Sequence, residues 1–284
     1  DFNLHASSAD WKQADFKNIP YLEKLKFSGS LNPEIHILGN RHSFKFKNKL
    51  DLTQTSYKFP KVFAKKEKIP NKVEMEGIYS EKEGIAIDQF KFILDDNIVV
   101  GEAKIKSLID PEYSIKINGI GFRPNTMASS VDIFKNNMDG EIDFNILGKG
   151  NLNQLEDSLI EGSAILKNLT FKWEDRNNPL TVSTDVRFSG STYNLLSGRI
   201  ESGRSQVSFR GRYKNKEQPE LILKLKGKAL VVDELISNNK DDDKVETNLK
   251  DLFEKIHLLS SGKSKISIDL DQFDYKWLTL GDVS

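Results

Sequence analysis

The sequence predicts a mainly β fold: an elongated, curved antiparallel β-sheet that forms a taco-like groove, built of tandem repeat units with a few short helices between them. Three observations predict it. Apolar and polar side chains alternate strictly on both sides of a polar turn in residues 207–227, as in half-buried strands. Residues 98–119 repeat the same outline. Hydrophobic residues make up 37% of the chain, a share that favours a thin sheet over a compact core.

The similarity between the two stretches rests on glycines and prolines that recur at a nearly constant separation along the chain. Three pairs carry it: Gly101 and Gly211, Pro111 and Pro219, and Gly119 and Gly227. A unit that recurs in tandem, with strands as its main content, indicates a sheet that grows by repetition rather than a set of separate globules.

The two strand pairs carry an apolar stripe on one side, opposite lysine, arginine, serine and asparagine. These apolar residues are the candidate ligand-binding set: Ile115, Ile117, Val207, Phe209, Leu221, Leu223 and Leu225. An apolar sheet face must be covered by something. The pattern alone leaves two alternatives of equal standing, a closed sandwich core and an open groove for an apolar ligand.

The N-terminal part of the chain, up to Pro70, carries weaker strand signals. Residues 1–18 are predicted to be the tail of a preceding segment, and residues 19–31 a short helix or turn that runs into a strand. Short strands are expected around residues 35–38, 44–46 and 50–52. Residues 58–70 are basic and bounded by prolines, which predicts a loop or an edge strand because proline cannot donate to a central ladder.

From Val73 the alternation strengthens. Its parity shifts by one residue between Ile87 and Phe90, which predicts a β-bulge. Residues 95–97, Asp-Asp-Asn, predict a hairpin turn. Short helices are predicted at residues 127–138 and, with a clear i, i+3, i+4, i+7 apolar stripe, at residues 245–259.

The predicted units follow from these elements. Residues 19–130 form the first β-groove repeat unit, residues 131–248 the second, and residues 249–284 the start of a third. The charged tract 237–244 is predicted to be a mobile loop in the second unit. The chain begins with Asp1 and ends within a predicted strand, so we expect a continuous fragment of a longer protein.

No catalytic, cofactor or metal site emerges from the sequence, and the protein is not predicted to be an enzyme. The chain has no cysteine, no P-loop and no nucleophile elbow. The four histidines are scattered, and although His36 and His42 could approach across a turn, no third ligand is evident. The run Asp241–Asp243 lacks the spacing of a calcium loop.

Charge and hydropathy argue against two further classes, nucleic-acid-binding proteins and proteins whose helices cross a bilayer within this sequence. The 42 basic and 42 acidic residues balance, so nothing predicts nucleic-acid binding. No apolar run reaches the roughly 18 residues needed to cross a bilayer as a helix. Five aromatic residues could stack on sugars but are explained more simply by packing within the sheet: Tyr113, Trp173, Tyr213, Tyr275 and Trp277.

Residues 199–236 resemble the C-terminal region of AsmA-like proteins. A strand ends in a glycine, Gly211, a turn contains Pro219, and after a further strand the phrase Val-Asp-Glu-Leu follows at residues 232–235. A polar linker, a short helix, a glycine and a strand come next in both. Residues 89–131 resemble a degenerate earlier copy, in which residues 123–126, Arg-Pro-Asn-Thr, replace the aspartate phrase. The resemblance covers about the last two thirds of the chain and covers residues 1–70 poorly.

The resemblance implies a function. The family, related to TamB and YhdP proteins, forms long taco-shaped sheets with an apolar channel, is anchored in the inner membrane, extends through the periplasm, and is implicated in phospholipid transfer and outer-membrane homeostasis. We therefore expect a monomeric, periplasmic lipid groove that binds phospholipid or another acyl-chain ligand, with an anchor outside this chain. The alternatives are a structural or adhesive β-solenoid of the cell envelope without a ligand and, less favoured, a carbohydrate-binding or carbohydrate-active β protein.

Overall fold

The computed structural model describes residues 1–7, 26–59, 63–107, 109–127, 138–172, 178–231, 234, 263–275 and 278–283. Most of these residues lie in strands, which confirms the mainly β prediction. The predicted helix 245–259, the acidic run 241–243 and the mobile loop 237–244 lie outside the described residues.

Eighteen strands lie in the described part of the chain. They are β1 (Phe2–Ser7), β2 (Lys26–Gly29), β3 (Asn32–Asn40), β4 (Ser43–Asp51), β5 (Thr55–Phe59), β6 (Phe63–Lys65), β7 (Asn71–Ser80), β8 (Gly84–Leu94), β9 (Asn97–Lys106), β10 (Glu112–Phe122), β11 (Met138–Asn151), β12 (Gln154–Phe171), β13 (Leu180–Ser189), β14 (Thr192–Ser202), β15 (Ser205–Lys214), β16 (Glu220–Val231), β17 (Lys263–Tyr275) and β18 (Leu278–Val283).

Fifteen of these strands form one open sheet, in the order β1-β3-β4-β7-β8-β9-β10-β11-β12-β13-β14-β15-β16-β17-β18. Neighbouring strands pair antiparallel, as predicted, except that β16 and β17 are parallel. A parallel pair requires a crossover connection, which the alternation pattern of a meander does not reveal. The curvature of the sheet and its tandem repeats stay predictions.

Several local predictions have an outcome in the structure. The register shifts between Ile87 and Phe90, which confirms the predicted bulge. The turn after Leu94 leads directly into β9 at Asn97, which confirms the predicted hairpin. Residues 2–7, within the predicted tail, form strand β1. Residues 128–137 of the predicted helix lie outside the described residues; its end residues lie in a 3₁₀ turn at Pro124–Met127 and at the start of β11, at Met138.

The chain divides into two compact units, and the first comprises residues 1–135 and 142–160. Its fully buried side chains cluster at the end of the strands that holds the β8–β9 turn. There Leu94 packs against Ile69, Phe92 and Phe122. A separate three-stranded sheet, β2-β5-β6, lies at this same end, and its strands β5 and β6 come between β4 and β7 in the chain. Residues 58–70 therefore contribute a short edge strand, one of the two structures predicted for them.

Two buried polar side chains stabilise this small sheet, Lys65 by bonds to β5 and the turn before it and Tyr57 by a bond to the large sheet. Lys65 is 2% exposed, and its ammonium donates hydrogen bonds to the carbonyl oxygens of Leu52, Thr53 and Thr55 at 2.5, 3.0 and 2.6 Å. The Tyr57 hydroxyl, also buried, donates to Asn71 Oδ1 at 3.0 Å. These contacts satisfy polar groups that would otherwise be buried without partners.

Burial of Tyr57 makes the stability of the first unit sensitive to alkaline pH. Removal from water raises the pKa of its hydroxyl well above the usual value. The folded state therefore favours the protonated phenol, and this contribution is lost as the pH rises past about 10, where the unfolded chain ionises. Raising the pH from about 9 to about 11 should therefore lower the unfolding free energy of Tyr57→Phe by less than that of the wild type, as measured in urea titrations. Equal losses would contradict this role for Tyr57.

The second unit comprises residues 136–141 and 161–284. Its buried apolar side chains include Leu169, Val207, Val231 and Leu270, with exposures of 3%, 2%, 4% and 2%. Val207, Val231 and Leu270 lie at one end of the sheet, near the β14–β15 turn. Many of the other apolar side chains of this unit lie along one sheet face, described below.

Candidate functional site

The second unit has a sheet face that is apolar from β12 to β17. Phe209 pairs with Leu225, and Tyr213 with Leu221, across the β15–β16 ladder. Paired residues point to the same side of a sheet, so these side chains share one face. The parallel ladder extends it, because Leu225 pairs with Ile268.

The same reasoning carries the face through β14, β13 and β12. Every second pair of facing residues in these ladders points to that side, and most of those residues are apolar. Thr184 is a polar member, and its hydroxyl donates a hydrogen bond to the Ser197 carbonyl. We call this set the 161–270 apolar face: Ala164, Leu166, Leu169, Phe171, Leu180, Val182, Val186, Phe188, Tyr193, Leu195, Ile200, Val207, Phe209, Tyr213, Leu221, Leu223, Leu225, Ile266, Ile268 and Leu270.

The opposite face of these strands is polar. Arg210 pairs with Lys224, and Ser208 with Lys226. Lys226 Nζ also reaches Asp269 Oδ2 at 2.9 Å, and this hydrogen bond raises the pKa of the lysine. The exposed ion pair is screened by solvent and contributes little stability. The ion pair matters here because charged side chains are typical of a sheet face that is exposed to water.

Most of the 161–270 apolar face is half-buried. At the β17 margin, Ile266 is 46% exposed and Ile268 38% exposed. An open depression of about 620 Å³ across β14–β17 is lined mostly by residues of the polar side, such as Ser208, Arg210 and Lys224, with Phe209, Leu225 and Ile268 in the row between them. The face therefore combines half-buried side chains with exposed ones at the β17 margin.

Aromatic rings and glycines shape this face. The Phe209 ring lies against Gly198 on the neighbouring strand, where a Cβ would overlap it. Phe188, Tyr193 and Tyr213 form a row across three strands, with ring centroids 6.4 and 6.1 Å apart. Such contacts favour one register of the paired strands.

The first unit has a comparable face, on which Ile115 and Ile117 lie half-buried. Ile117 pairs with Gly101 and Ile146, and Ile115 with Ala103 and Gly148. The ladders extend this face to β1, where Leu4 is opposite Ile37. Asn48 is a polar member, paired with Ile35 and Met75.

The structure thus divides the predicted site residues between the two units. Val207, Phe209, Leu221, Leu223 and Leu225 come together on the 161–270 apolar face, while Ile115 and Ile117 belong to the face of the first unit. Their role in contacting a ligand stays a prediction. Sequence reasoning missed Ile266 and Ile268 as members, although the alternation in residues 263–270 predicts a strand; only the parallel pairing shows which side they join.

A second feature missed from the sequence is the Glu234 carboxylate. It accepts hydrogen bonds from the backbone amides of Arg204 and Ser205 at 2.8 and 3.2 Å and from the Ser205 hydroxyl at 3.3 Å. Arg204 also reaches Asp274 on β17, at 3.6 Å. Glu234 therefore fixes the β14–β15 turn to the chain segment that follows β16.

The histidine contacts differ from those considered from the sequence. His36 does not approach His42, because the β3–β4 register places His36 opposite Lys47 and leaves His42 in the turn. His42 instead bonds Glu81 at 2.5 Å. His36 lies against His5 and Glu34, the one group of three metal-ligating side chains found among the described residues.

The aromatic residues considered as sugar platforms are only partly described. Tyr113 and Tyr213 lie half-buried on the two apolar faces, where neighbouring strands flank them. Trp173 and Trp277 lie outside the described residues.

No helix among the described residues is long and apolar enough to cross a bilayer. Comparison with protein-family models, with curated proteins and with solved structures gives no match to this chain.

Proposed function

We propose that this chain is a segment of a periplasmic, AsmA-like lipid groove that is anchored to the inner membrane by a part of the protein outside this sequence. In this proposal the sheet is curved, its apolar faces line the channel, and phospholipid acyl chains lie on them during transfer towards the outer membrane. The chain performs no chemistry; it provides an apolar surface along which lipids bind weakly and move.

The observation that carries the proposal is the continuity of the 161–270 apolar face. The adjacent strands β12 to β17 all contribute to it. At about 4.8 Å between strands, the face is about 24 Å wide. The hydrocarbon of one bilayer leaflet is about 15 Å deep, half of a core of about 30 Å, so an acyl chain fits on this surface in any direction.

The energetics favour an acyl ligand over a polar one. Each CH₂ group removed from water contributes about 0.8 kcal/mol. A half-exposed stripe of leucine, isoleucine and phenylalanine offers this contribution repeatedly along the sheet, with few polar groups that would fix a ligand in one position. Head groups would remain at the open margin, in water. Weak binding of this kind suits transfer better than storage.

The internal geometry of the two units supports the tandem-repeat part of the proposal. Strands β7 to β10 of the first unit have counterparts of equal or nearly equal length in β13 to β16 of the second. The separation along the chain is almost the same for each pair of strand starts, which are Asn71 and Leu180, Gly84 and Thr192, Asn97 and Ser205, and Glu112 and Glu220.

Irregular features recur at the same separation. The register shifts between Ile87 and Phe90 in β8 and, at the equivalent place in β14, between Leu195 and Gly198. A matching shift follows Glu76 in β7 and Asp185 in β13. Bulges interrupt regular pairing at specific places, so their coincidence is stronger support than shared alternation.

Tertiary hydrogen bonds recur as well. The Asn97 side chain bonds the backbone N–H and C=O of Arg123, at 2.6 and 3.1 Å. The Ser205 hydroxyl bonds the same two groups of Val231, at 2.9 and 3.3 Å. Asn97 and Ser205 are separated along the chain by as much as Arg123 and Val231 are. The same separation assigns Gly101 to the position of Phe209, which differs from the Gly101–Gly211 alignment drawn from the sequence.

One contact between a phenylalanine ring and a glycine occurs in both units, but with the two residue types exchanged between the neighbouring strands. In the first unit, the Phe90 ring on β8 lies against Gly101 on β9; in the second, the Phe209 ring on β15 lies against Gly198 on β14. Phe90 and Gly198 occupy equivalent positions, as do Gly101 and Phe209. One ring fills the shared space in either arrangement, which is what a duplicated unit with compensating changes would show.

The exchange of this pair within the second unit tests the repeat. Gly198→Phe places two rings in one space, and Phe209→Gly leaves none, so each single variant should lose about 2–4 kcal/mol of unfolding free energy. The double variant reproduces the arrangement of the first unit and should recover most of the loss, with a coupling energy of about 1–3 kcal/mol in urea titrations. Additive losses would contradict the equivalence of the two sites.

Native mass spectrometry of the purified protein, followed by organic extraction, tests the lipid proposal itself. We expect phospholipid to co-purify and to dissociate as intact lipid on activation in the gas phase. Lipid-free protein that also fails to take up phospholipid from vesicles would favour a structural solenoid with a closed core.

A further inference from the structure

Three metal-ligating side chains meet on the polar face of β1 and β3, at the edge of the large sheet. His5 and His36 are directly opposite each other in the β1–β3 ladder, and Glu34 lies two residues before His36 on β3. A spacing of two residues along a strand and direct pairing across it put all three side chains on the same side of the sheet.

The side chains are close enough to share one ion. The two imidazole rings are stacked, with centroids 3.9 Å apart. Glu34 Oε1 lies 3.2 Å from His36 Nε2, and one potential ligand atom of each residue lies within 4.8 Å of the others. Donor atoms of a tetrahedral zinc site are separated by about 3.3 Å, given zinc–nitrogen bonds of about 2.0 Å. Small rotations of these accessible side chains cover the difference.

The donor set indicates the class of ion. Two imidazole nitrogens and one carboxylate suit zinc and other first-row transition metals, whereas calcium and magnesium require mostly oxygen ligands. Glu34 presents its carboxylate to this pair, since Oε1 lies 3.2 Å from His36 Nε2. Water would fill the remaining coordination position of such an open site.

We propose that His5, Glu34 and His36 form a binding site for a divalent transition-metal ion, with zinc as the simplest occupant. The ion bridges strands β1 and β3 and fastens β1, which is the terminal strand in the order of the described sheet. The Lys49 ammonium, 4.0 Å from Glu34 Oε2, opposes the ion and sets its affinity. This site is independent of the apolar faces and of any lipid role.

Calorimetric titration of the full chain with zinc chloride, after chelator treatment and dialysis, tests the site. We expect one zinc ion per chain. His5→Gln and His36→Gln, which keep a polar side chain of similar length, should each weaken zinc binding by at least about tenfold, and Lys49→Gln should strengthen it several-fold. His42→Gln is the matched control, because His42 is an exposed histidine bonded to a carboxylate, Glu81, in the turn after β3; its zinc affinity should equal that of the wild type.

Amide hydrogen exchange in β1 supplies a second readout. Zinc should slow exchange of residues 2–7 in the wild type and in His42→Gln, and have no such effect in His5→Gln. Equal zinc affinity in the wild type and the two β1–β3 variants would overturn the proposal, as would loss of the zinc site in His42→Gln.

Discussion

Leu223→Asp should abolish lipid retention while leaving the protein folded. Leu223 lies half-buried at the centre of the 161–270 apolar face, between Gly211 on β15 and Ile266 on β17. A carboxylate there would need to lose its water when an acyl chain covers it, a cost of several kcal/mol, so co-purified phospholipid should fall by at least about tenfold. On an open face the carboxylate stays hydrated in the lipid-free protein, and the unfolding free energy should fall by only about 1–2 kcal/mol.

Ile222→Asp provides a closely matched control. Ile222 is the preceding residue of the same strand, is 37% exposed and points to the polar face, opposite Lys265. The same chemical change there should leave both folding and lipid retention unchanged. If Leu223→Asp unfolds the protein in urea titrations at concentrations that Ile222→Asp withstands by a wide margin, the apolar face is packed as a core and the groove proposal is wrong.

Lys65→Met should destabilise the first unit by about 3 kcal/mol. The buried ammonium of Lys65 donates to three backbone carbonyls, and a hydrogen bond from a charged group contributes about 1.5–3 kcal/mol. Methionine has a similar length but leaves the three carbonyls without this donor. Burial lowers the pKa of Lys65, which shows that desolvation opposes its charge and offsets part of the gain.

Urea unfolding monitored by circular dichroism would measure the loss, with Lys66→Met as the control. Lys66 is the next residue and is exposed, so its replacement should change the unfolding free energy by less than about 0.5 kcal/mol. Equal stability of the two variants would show that the carbonyls find other partners and that Lys65 does not fasten the small sheet.

The local strand pattern of this chain could be predicted because the period of a strand is short. Alternation gave the faces of β9, β10, β15 and β16 correctly, since adjacent side chains point to opposite sides whatever the partner strand is. The bulge between Ile87 and Phe90 was predictable for the same reason: an extra residue changes the parity, and parity is visible in the sequence.

Features that depend on distant partners were not predictable. Ile266 and Ile268 join the 161–270 apolar face only because β17 pairs in parallel with β16, and no local pattern specifies that partner. The His5–His36 pair depends on the register between two strands that a long stretch of chain separates. Lys65 lies in a basic stretch, which suggests a side chain exposed to solvent. In the structure it is buried, and its ammonium donates to carbonyl oxygens in the turn before β5 and in β5 itself.

The sequence predicted that the candidate site is an apolar sheet face, but it did not identify all of the residues on that face. Five of the seven proposed residues lie on a single face of the second unit, because alternation identifies sides reliably. Whether such a face is open cannot be obtained from alternation, since a core strand and a groove strand have the same pattern. The pair of variants Leu223→Asp and Ile222→Asp addresses that question directly.

Site-specific photo-crosslinking in living bacteria tests the central claim most directly. A photoreactive amino acid would be placed at Leu223 or Phe209 on the apolar face and, for comparison, at Ile222 or Ser208 on the polar face of the same strands. The lipid-groove account predicts phospholipid adducts at positions 223 and 209 and none at positions 222 and 208. Absence of lipid adducts at all four positions, or equal labelling of both faces, would contradict it.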